Sequence, residues 1–250
     1  MIFIEGYLLA FLRFLSFSFA FPLFSQRSVP AQLKIGFAAL LAIAVAPATT
    51  QSMEEFWPWA LLALQEIAIG LLLAFFVSLV FGIIYFAGQL IDVPMGFGMV
   101  SIFDPQSGMQ LPVFSQFYHL LGMLVFLAVD GHLWLFKALG DSYKFLPVNQ
   151  FVSLDLSLDV ILALSQNLFS IGLQIALPII GSIFLTDIAL GIVTKAVPQI
   201  NVFVIGFPIK IMMGLLVLTL VVPVYVQIAA GLFAYDGLLH QYFYRLLLGE

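Results

Sequence analysis

IAIGLLLAFFVSLVFGIIYFAGQLI, from Ile67 to Ile91, decides the fold class, because it contains no Asp, Glu, Lys or Arg. A helix needs about 20 predominantly apolar residues to cross the roughly 30 Å hydrocarbon layer of a membrane, and this stretch is longer than that. Outward from it, further charge-free stretches cover 35–53, 105–129, 160–186 and 211–235, and a sixth apolar segment at 7–24 contains Arg13. The pattern predicts six apolar, membrane-associated segments.

The segments are expected to be helical. None alternates polar and apolar residues with a period of two over about ten residues, as a membrane barrel requires. Helices are the other way to satisfy backbone polar groups in lipid. Pro178 and Pro223 lie inside the apolar runs and Pro208 lies just before the last run. Each proline removes a backbone donor, so that other protein groups must satisfy the freed carbonyl. The sequence therefore predicts an all-α protein whose interrupted helical hairpins pack against partner proteins.

Composition excludes several other classes. The chain is 63% hydrophobic and 8% charged, and it has 8 Lys plus Arg against 13 Asp plus Glu. With a formal charge of −5, it offers no basic surface for a phosphate backbone, so nucleic-acid binding is not expected. It lacks cysteine, which removes thiolate chemistry and Cys-type zinc sites. Glu5 and the missing basic n-region argue against a removable signal peptide.

Loop charges do not orient the segments. With six alternating spans, four basic residues fall on one side and three on the other, although cytoplasmic loops normally carry an excess. The two groups are Arg27, Lys34, Lys195 and Lys210, and Lys137, Lys144 and Arg245. Turn-forming residues predict loops at 140–147 and 155–159, among others.

Residues 88–113, GQLIDVPMGFGMVSIFDPQSGMQLPV, mix glycine, methionine, aromatic residues, two acids and prolines between apolar segments. Met99 and Met109 are flexible enough to adapt to changing surfaces, and Ile102 and Phe103 are bulky enough to obstruct a narrow passage. One interpretation is a hydrophobic plug. The other is an ordinary interhelical loop with an Asp-Pro turn, and composition alone leaves both open.

Ionisable residues lie in or beside the apolar segments, where they are costly and often mark an ion pathway. They suggest either a proton relay or ion pairs and caps between subunits, and their scatter favours the pairs. Asp187 and Lys195, eight residues apart, lie near one face of a continuous helix. The full set is Arg13, Glu66, Asp187, Lys195 and Lys210.

Catalytic and metal sites have little support. His119, Asp130 and His132 form no recognised ligand pattern. The chain contains no G-x-S-x-G, Walker A or dinucleotide-binding motif. We therefore expect neither an enzyme nor a cofactor.

Four blocks, in order along the chain, resemble the FliR family of flagellar type III export-gate membrane proteins, which is related to injectisome subunits. They are FPLFSQRSVPAQLKIG at 21–36, the 88–113 stretch, GHLWLFKALGDSYKFLP at 131–147 and PQINVFVIGFPIK at 198–210. Lys195 stands where the family often has Arg. The resemblance covers nearly the whole chain.

The resemblance implies a core subunit of the flagellar export gate in the bacterial inner membrane and flagellar basal body. Such subunits assemble with FliP-like and FliQ-like proteins, beside FlhB-like and FlhA-like proteins, into a closed pore for unfolded flagellar proteins. The assembly is thought to be lifted partly out of the bilayer. The family's plug loop matches 98–113, which makes Met99, Ile102, Phe103, Asp104, Pro105 and Met109 the expected plug residues. Residues assigned to packing and assembly are Lys195, Pro198, Gln199, Asn201, Gly206, Phe207, Pro208 and Lys210.

The resemblance also implies two parts, a FliP-like helical region at 1–155 and a FliQ-like helical hairpin at 156–250. A small-solute secondary transporter is the alternative function, because broken helices and intramembrane charges are typical of that class. It predicts inverted repeats and polar groups that converge at one depth, and neither is visible in the sequence.

Overall fold

The computed structural model describes residues 2–25, 29–45, 56–97, 112–148, 154–199 and 201–248. All regular structure in these ranges is α-helical, apart from one residue in a 3-10 turn, which confirms the all-α prediction. The helices are α1 (Ile2–Ala20), α2 (Ala31–Val45), α3 (Phe56–Asp92), α4 (Val113–Ala128), α5 (Gly131–Phe145), α6 (Leu154–Ala196), α7 (Val202–Phe233) and α8 (Leu238–Leu248).

Three helices are very long. With a rise of 1.5 Å per residue, the 37 residues of α3, the 43 of α6 and the 32 of α7 extend about 56, 65 and 48 Å. Over the described residues, three helices are long and apolar enough to cross a membrane, or four if the bent pair of α4 and α5 counts as one span. That is fewer than the six predicted segments, and α2 has only 15 residues.

Proline does not end these helices. Pro178 lies inside α6, and Pro208 and Pro223 lie inside α7. Hydroxyl groups nearby bond to backbone oxygens of the same helix: Ser182 donates to the Ile179 carbonyl (2.7 Å) and Thr219 to the Leu216 carbonyl (2.6 Å). The prediction of apolar helices with internal breakers is confirmed.

Two predicted loops are wrong. The helix α5 continues through Gly140 to Phe145, and α6 begins at Leu154, so that most of 140–147 and all of 155–159 are helical. A helical glycine costs only about 1 kcal/mol relative to alanine, which packing readily offsets. The helix α6 begins one residue before Asp155, so Asp155 lies inside the helix instead of in a loop.

The chain divides into two compact units, and α3, α4, α6 and α7 each contribute to both. Unit 1 contains Met1–Phe81, Phe126–Ser165 and Leu232–Glu250; unit 2 contains Gly82–Val125 and Gln166–Gly231. In unit 1, α1 packs on α2 and α5 packs on α8. Its core includes a ring cluster of Phe81, Phe126 and Phe233, with centroids 4.6 to 5.4 Å apart.

In unit 2, two tyrosines join α4 to α7. The Tyr118 ring on α4 stacks on the Tyr225 ring on α7, with centroids 4.6 Å apart. The Tyr225 hydroxyl donates a 2.6 Å hydrogen bond to the Tyr118 carbonyl oxygen. Both residues are fully buried. This contact fixes α4 beside α7, close to the segment that the sequence singles out.

Candidate functional site

The predicted plug lies outside the described residues. Met99, Ile102, Phe103, Asp104, Pro105 and Met109 all fall in 98–111, so their role stays a prediction. The residues on either side, up to Phe97 and from Pro112 onward, are described and belong to unit 2. The candidate site is therefore built from these two flanks, which we call the loop base.

One part of the loop base is Asp92, the last residue of α3. Its carboxylate accepts hydrogen bonds from the backbone N–H groups of Phe114 (2.8 Å) and Ser115 (3.2 Å) and from the Ser115 hydroxyl (2.8 Å). The first N–H groups of a helix have no partner inside the helix, and the helix dipole favours a negative charge there. Asp92 therefore caps α4 from another helix.

This cap requires a close approach of two backbones. Gly88 lies one turn before Asp92, and a Cβ placed on it would be 2.3 Å from the Ser115 Cα and 2.4 Å from its nitrogen. Any larger residue at position 88 would push α4 away from α3. Since Asp92 is only 6% exposed and Ser115 is fully buried, the capping hydrogen bonds are shielded from competing water.

The other part of the loop base is the turn after α3. Gly96 has a φ of +93°, a conformation that favours glycine. A Cβ there would be 2.6 Å from the Phe207 ring of α7. The buried Met95 side chain fills the space left by Gly214, where a Cβ would be 2.3 Å from its Cε. The turn is therefore seated against α7.

A ring contact joins the two flanks. The centroids of Phe97 and Phe114 are 5.7 Å apart with an angle of 61° between the planes, an edge-to-face geometry that aromatic rings favour. The residues that enter and leave 98–111 are thus held by one cluster. Sequence reasoning noted the acids and glycines of 88–113 but missed the capping role of Asp92 and Ser115.

The family-motif residues of 195–210 have different environments. Gly206 is buried and Phe207 contacts the loop base. The Lys210 ammonium is 2.5 Å from the Asp187 carboxylate, an ion pair that joins the C-terminal part of α6 to the N-terminal part of α7. The remaining motif residues are exposed: Lys195, Pro198, Gln199, Asn201 and Pro208.

The sequence places Asp187 and Lys195 near one face of a continuous helix without deciding whether they pair. The structure pairs Asp187 with Lys210 of the next helix. Lys195 lies in the last turn of α6, where a positive charge is stabilised by the helix dipole. The motif thus contributes one ion pair, one buried glycine and one aromatic contact. Its polar residues between α6 and α7 are exposed.

Unit 1 holds a second polar cluster, which we call the ionic cluster. The Arg13 guanidinium donates to both Glu66 carboxylate oxygens, at 2.6 and 3.0 Å. Arg13 also donates to the Ser142 hydroxyl and the Leu146 carbonyl oxygen, both at 3.0 Å. The Tyr143 hydroxyl donates to Glu66 at 2.7 Å. Arg13 and Glu66 are fully buried.

The ionic cluster shows how two of the ionisable residues in the apolar segments, Arg13 and Glu66, are satisfied. Arg13 on α1, Glu66 on α3 and Tyr143 on α5 satisfy one another, as a buried charge requires. Ion pairs or caps between subunits were expected, whereas Arg13 pairs with Glu66 and Asp187 with Lys210 within this chain. Across the described residues, no three His, Asp or Glu side chains are grouped to hold a metal.

Comparisons with known proteins give one family. Residues 4–235 match the family described as bacterial export proteins, family 1. The chain is 35% identical to the flagellar biosynthetic protein FliR of Bacillus subtilis (strain 168) over 234 residues, 92% of this chain and 90% of that protein.

Two further relatives carry the same name. The chain is 33% identical to the flagellar biosynthetic protein FliR of Escherichia coli (strain K12), over 89% of this chain and 86% of that protein. It is 32% identical to the corresponding protein of Aquifex aeolicus (strain VF5), over 86% of this chain and 84% of that protein.

Proposed function

Since this chain belongs to the FliR family of bacterial export proteins, we propose that it helps to form and seal the pore through which unfolded flagellar proteins leave the cell. It is a component of the flagellar export apparatus and an all-helical membrane protein. The loop base is the observation that carries the proposal of a seal.

The seal is assigned to 98–113, with Met99, Ile102, Phe103 and Met109 as its apolar surface and Asp104-Pro105 as its turn. A narrow apolar constriction loses its water and so blocks ions, while unbranched side chains can part for a passing polypeptide. The loop base supports this role. It joins both flanks of the segment through Asp92, Phe97 and Phe114, so α3 and α4 are held together at the two ends of the proposed seal.

The hairpin of α6 and α7 supports assembly with other subunits. Only 28% of the apolar window in α6 and 17% of that in α7 is buried within the chain, against 56% for α3. Both helices also exceed the hydrocarbon thickness. Lipid alone therefore does not cover them along their whole length. The most exposed large hydrophobic side chains on these two helices are Phe184, Leu185, Ile192, Val204, Met212 and Leu220.

We assign this cover to FliP-like and FliQ-like subunits, with FlhB-like and FlhA-like proteins alongside. In this proposal residues 1–155 form the FliP-like region and 156–250 the FliQ-like hairpin. The exposed motif residues from Lys195 to Asn201 contact neighbouring subunits. The complex sits in the inner membrane at the flagellar basal body and is lifted partly toward the periplasm. The chain acts as a conduit without catalytic chemistry or a cofactor.

The seal is tested by replacing both Ile102 and Phe103 with serine in cells that assemble the gate. We expect leakage of small ions and solutes while export continues, because polar side chains keep the constriction wet. Membrane permeability to a small fluorescent solute and secretion of flagellar proteins are measured together. A matched control replaces Leu40 and Ile43, which are exposed on α2, with serine and is expected to leave permeability unchanged.

Unchanged permeability of the Ile102→Ser/Phe103→Ser gate, at normal abundance, would remove these residues from the seal.

Assembly is tested separately by purifying the chain from native membranes and identifying the proteins that copurify. A stable monomer that reconstitutes solute uptake alone would favour the secondary transporter over the gate.

A further inference from the structure

Unit 1 contains a cleft of about 370 Å³ that the export role leaves unused. Phe14 of α1 and the last turn of α2, with Leu41 and Val45, form one side, and the face of α5 from Phe136 to Lys144 forms the other. Small-molecule sites typically enclose about 300 to 1,000 Å³, so the volume suits one flexible chain or a small ligand. The lining is predominantly apolar.

The charged groups of the cleft all lie on α5. Lys137, Asp141 and Lys144 line it, and the Lys144 ammonium is 2.6 Å from the Asp141 carboxylate. Lys137 is exposed, and the structure records no acidic partner for it among the described residues. The cleft therefore combines an apolar interior with one net positive charge at its side.

Gly140 keeps the cleft open. It lines the cleft opposite α2, and a Cβ placed on it would be 3.7 Å from a Val45 methyl group, an ordinary contact distance. Alanine therefore fits at this position, whereas a longer side chain would occupy the space itself. Tyr143 forms the inner wall, and its hydroxyl bonds to Glu66 of the ionic cluster.

We propose that this cleft binds an anionic phospholipid, with one acyl chain in the apolar space and the phosphate beside Lys137. Lysine binds phosphate as a point charge, and basic pockets between membrane helices bind anionic headgroups. The neighbouring face of α2 is apolar and open, since Leu40 is 70% and Ile43 57% exposed. Lipid molecules around that face have direct access to the cleft.

Charge complementarity distinguishes this occupant from a helix of another subunit. A packed apolar helix gains nothing from Lys137, and burying an unpaired ammonium against it is costly. A lipid phosphate neutralises the charge while its acyl chain fills the interior. The bound lipid also covers the outer side of Tyr143 and keeps water away from the ionic cluster behind it.

The test uses the full chain with whatever subunits copurify from native membranes. The detergent-solubilised complex is titrated with phosphatidylglycerol or with phosphatidylcholine of the same acyl chains, and bound lipid is counted by native mass spectrometry. We expect the first phosphatidylglycerol to bind about fivefold more tightly than phosphatidylcholine, the contribution of one lysine. Lys137→Gln removes this preference. Gly140→Leu weakens both lipids by about tenfold, the loss expected for excluding two methylene groups.

Matched controls place the same changes outside the cleft. Gly36→Leu adds the same side chain to α2 at a position with nothing within 4 Å, and Lys195→Gln removes an exposed charge from α6. Both are expected to bind phosphatidylglycerol as the unchanged protein does. If Gly140→Leu fails to accumulate, the lipid preference of the unchanged protein and of Lys137→Gln still decides the question.

Two outcomes would overturn the proposal. The first is equal affinity for the two lipids together with no effect of Lys137→Gln. The second is a Gly140→Leu complex that loses a protein subunit while it retains phosphatidylglycerol, because a partner helix would then occupy the cleft.

Discussion

Glu66 and Asp92 are buried carboxylates on the same helix, α3, but the protein satisfies them in different ways. Glu66 receives a guanidinium and a phenol from two other helices, whereas Asp92 receives the backbone N–H groups and hydroxyl at the start of α4. The first arrangement ties α1, α3 and α5 side by side. The second fixes a single junction, the one that borders 98–111.

The two arrangements are expected to serve different purposes, the Glu66 arrangement for stability and the Asp92 arrangement for gating. Leaving a buried charge without its partner costs about 3–5 kcal/mol, while losing a helix cap costs about 0.5–2 kcal/mol. The ionic cluster is therefore expected to control whether unit 1 folds. The loop base is expected to control how tightly the proposed seal is held. Three variants, taken from the largest effect to the smallest, test this division.

Arg13→Met is expected to have the largest effect, because it leaves Glu66 charged and buried without a cation. We expect a loss of about 3–5 kcal/mol in the free energy of unfolding, measured by denaturant titration of the purified complex. The double variant Arg13→Met/Glu66→Leu removes both charges and should recover much of the loss. If the single and double variants are equally unstable, the pair is not what holds the three helices.

Asp92→Ala is expected to have an intermediate effect, because it leaves the buried N–H groups of Phe114 and Ser115 without an acceptor. The cost is about 0.5–2 kcal/mol, and cells that carry this variant should leak small solutes while accumulating the protein. Asp92→Asn keeps a capping oxygen and is the matched control, with a smaller leak. A variant that loses abundance without any leak would assign Asp92 to folding alone.

Lys210→Gln is expected to have the smallest effect. Its ion pair with Asp187 is partly exposed, with 20% and 45% of the two side chains accessible, and such pairs contribute about 0–1 kcal/mol. Thermal unfolding of Lys210→Gln and of the control Lys195→Gln should therefore differ little. A loss above about 2 kcal/mol would place this pair with the ionic cluster, contrary to the limits for exposed pairs.

The long helices follow directly from the sequence. Charge-free runs such as 67–91 and 211–235 fall inside α3 and at α7 because apolar content alone specifies a helix that lipid or protein must cover. Gly140 and Asp155 misled the prediction of helix ends, since local turn signals are weaker than the packing of the helix that contains them. Tertiary contacts decided those two boundaries.

The candidate site was harder to predict. The sequence identified Asp187, Lys195 and Lys210 as notable charges, but the choice of partner depends on how α6 folds back on α7, which spacing along one helix does not give. The capping of α4 by Asp92 is similarly non-local, because the carboxylate and the first N–H group that it accepts are separated by 22 positions in the sequence. The sequence shows glycines at positions 88 and 96, but it does not show that Ser115 and Phe207 pack against them.

The length of α6 has a consequence for how the protein is positioned vertically. A helix whose apolar length matches the bilayer has one preferred depth, because a shift in either direction exposes apolar side chains to water at one membrane surface. The 37 residues from Val160 to Ala196 are apolar enough to cross and extend about 56 Å, so sliding by a turn leaves the lipid contact nearly the same. The bilayer alone therefore does not fix the depth of this helix, and contacts with neighbouring subunits must fix it.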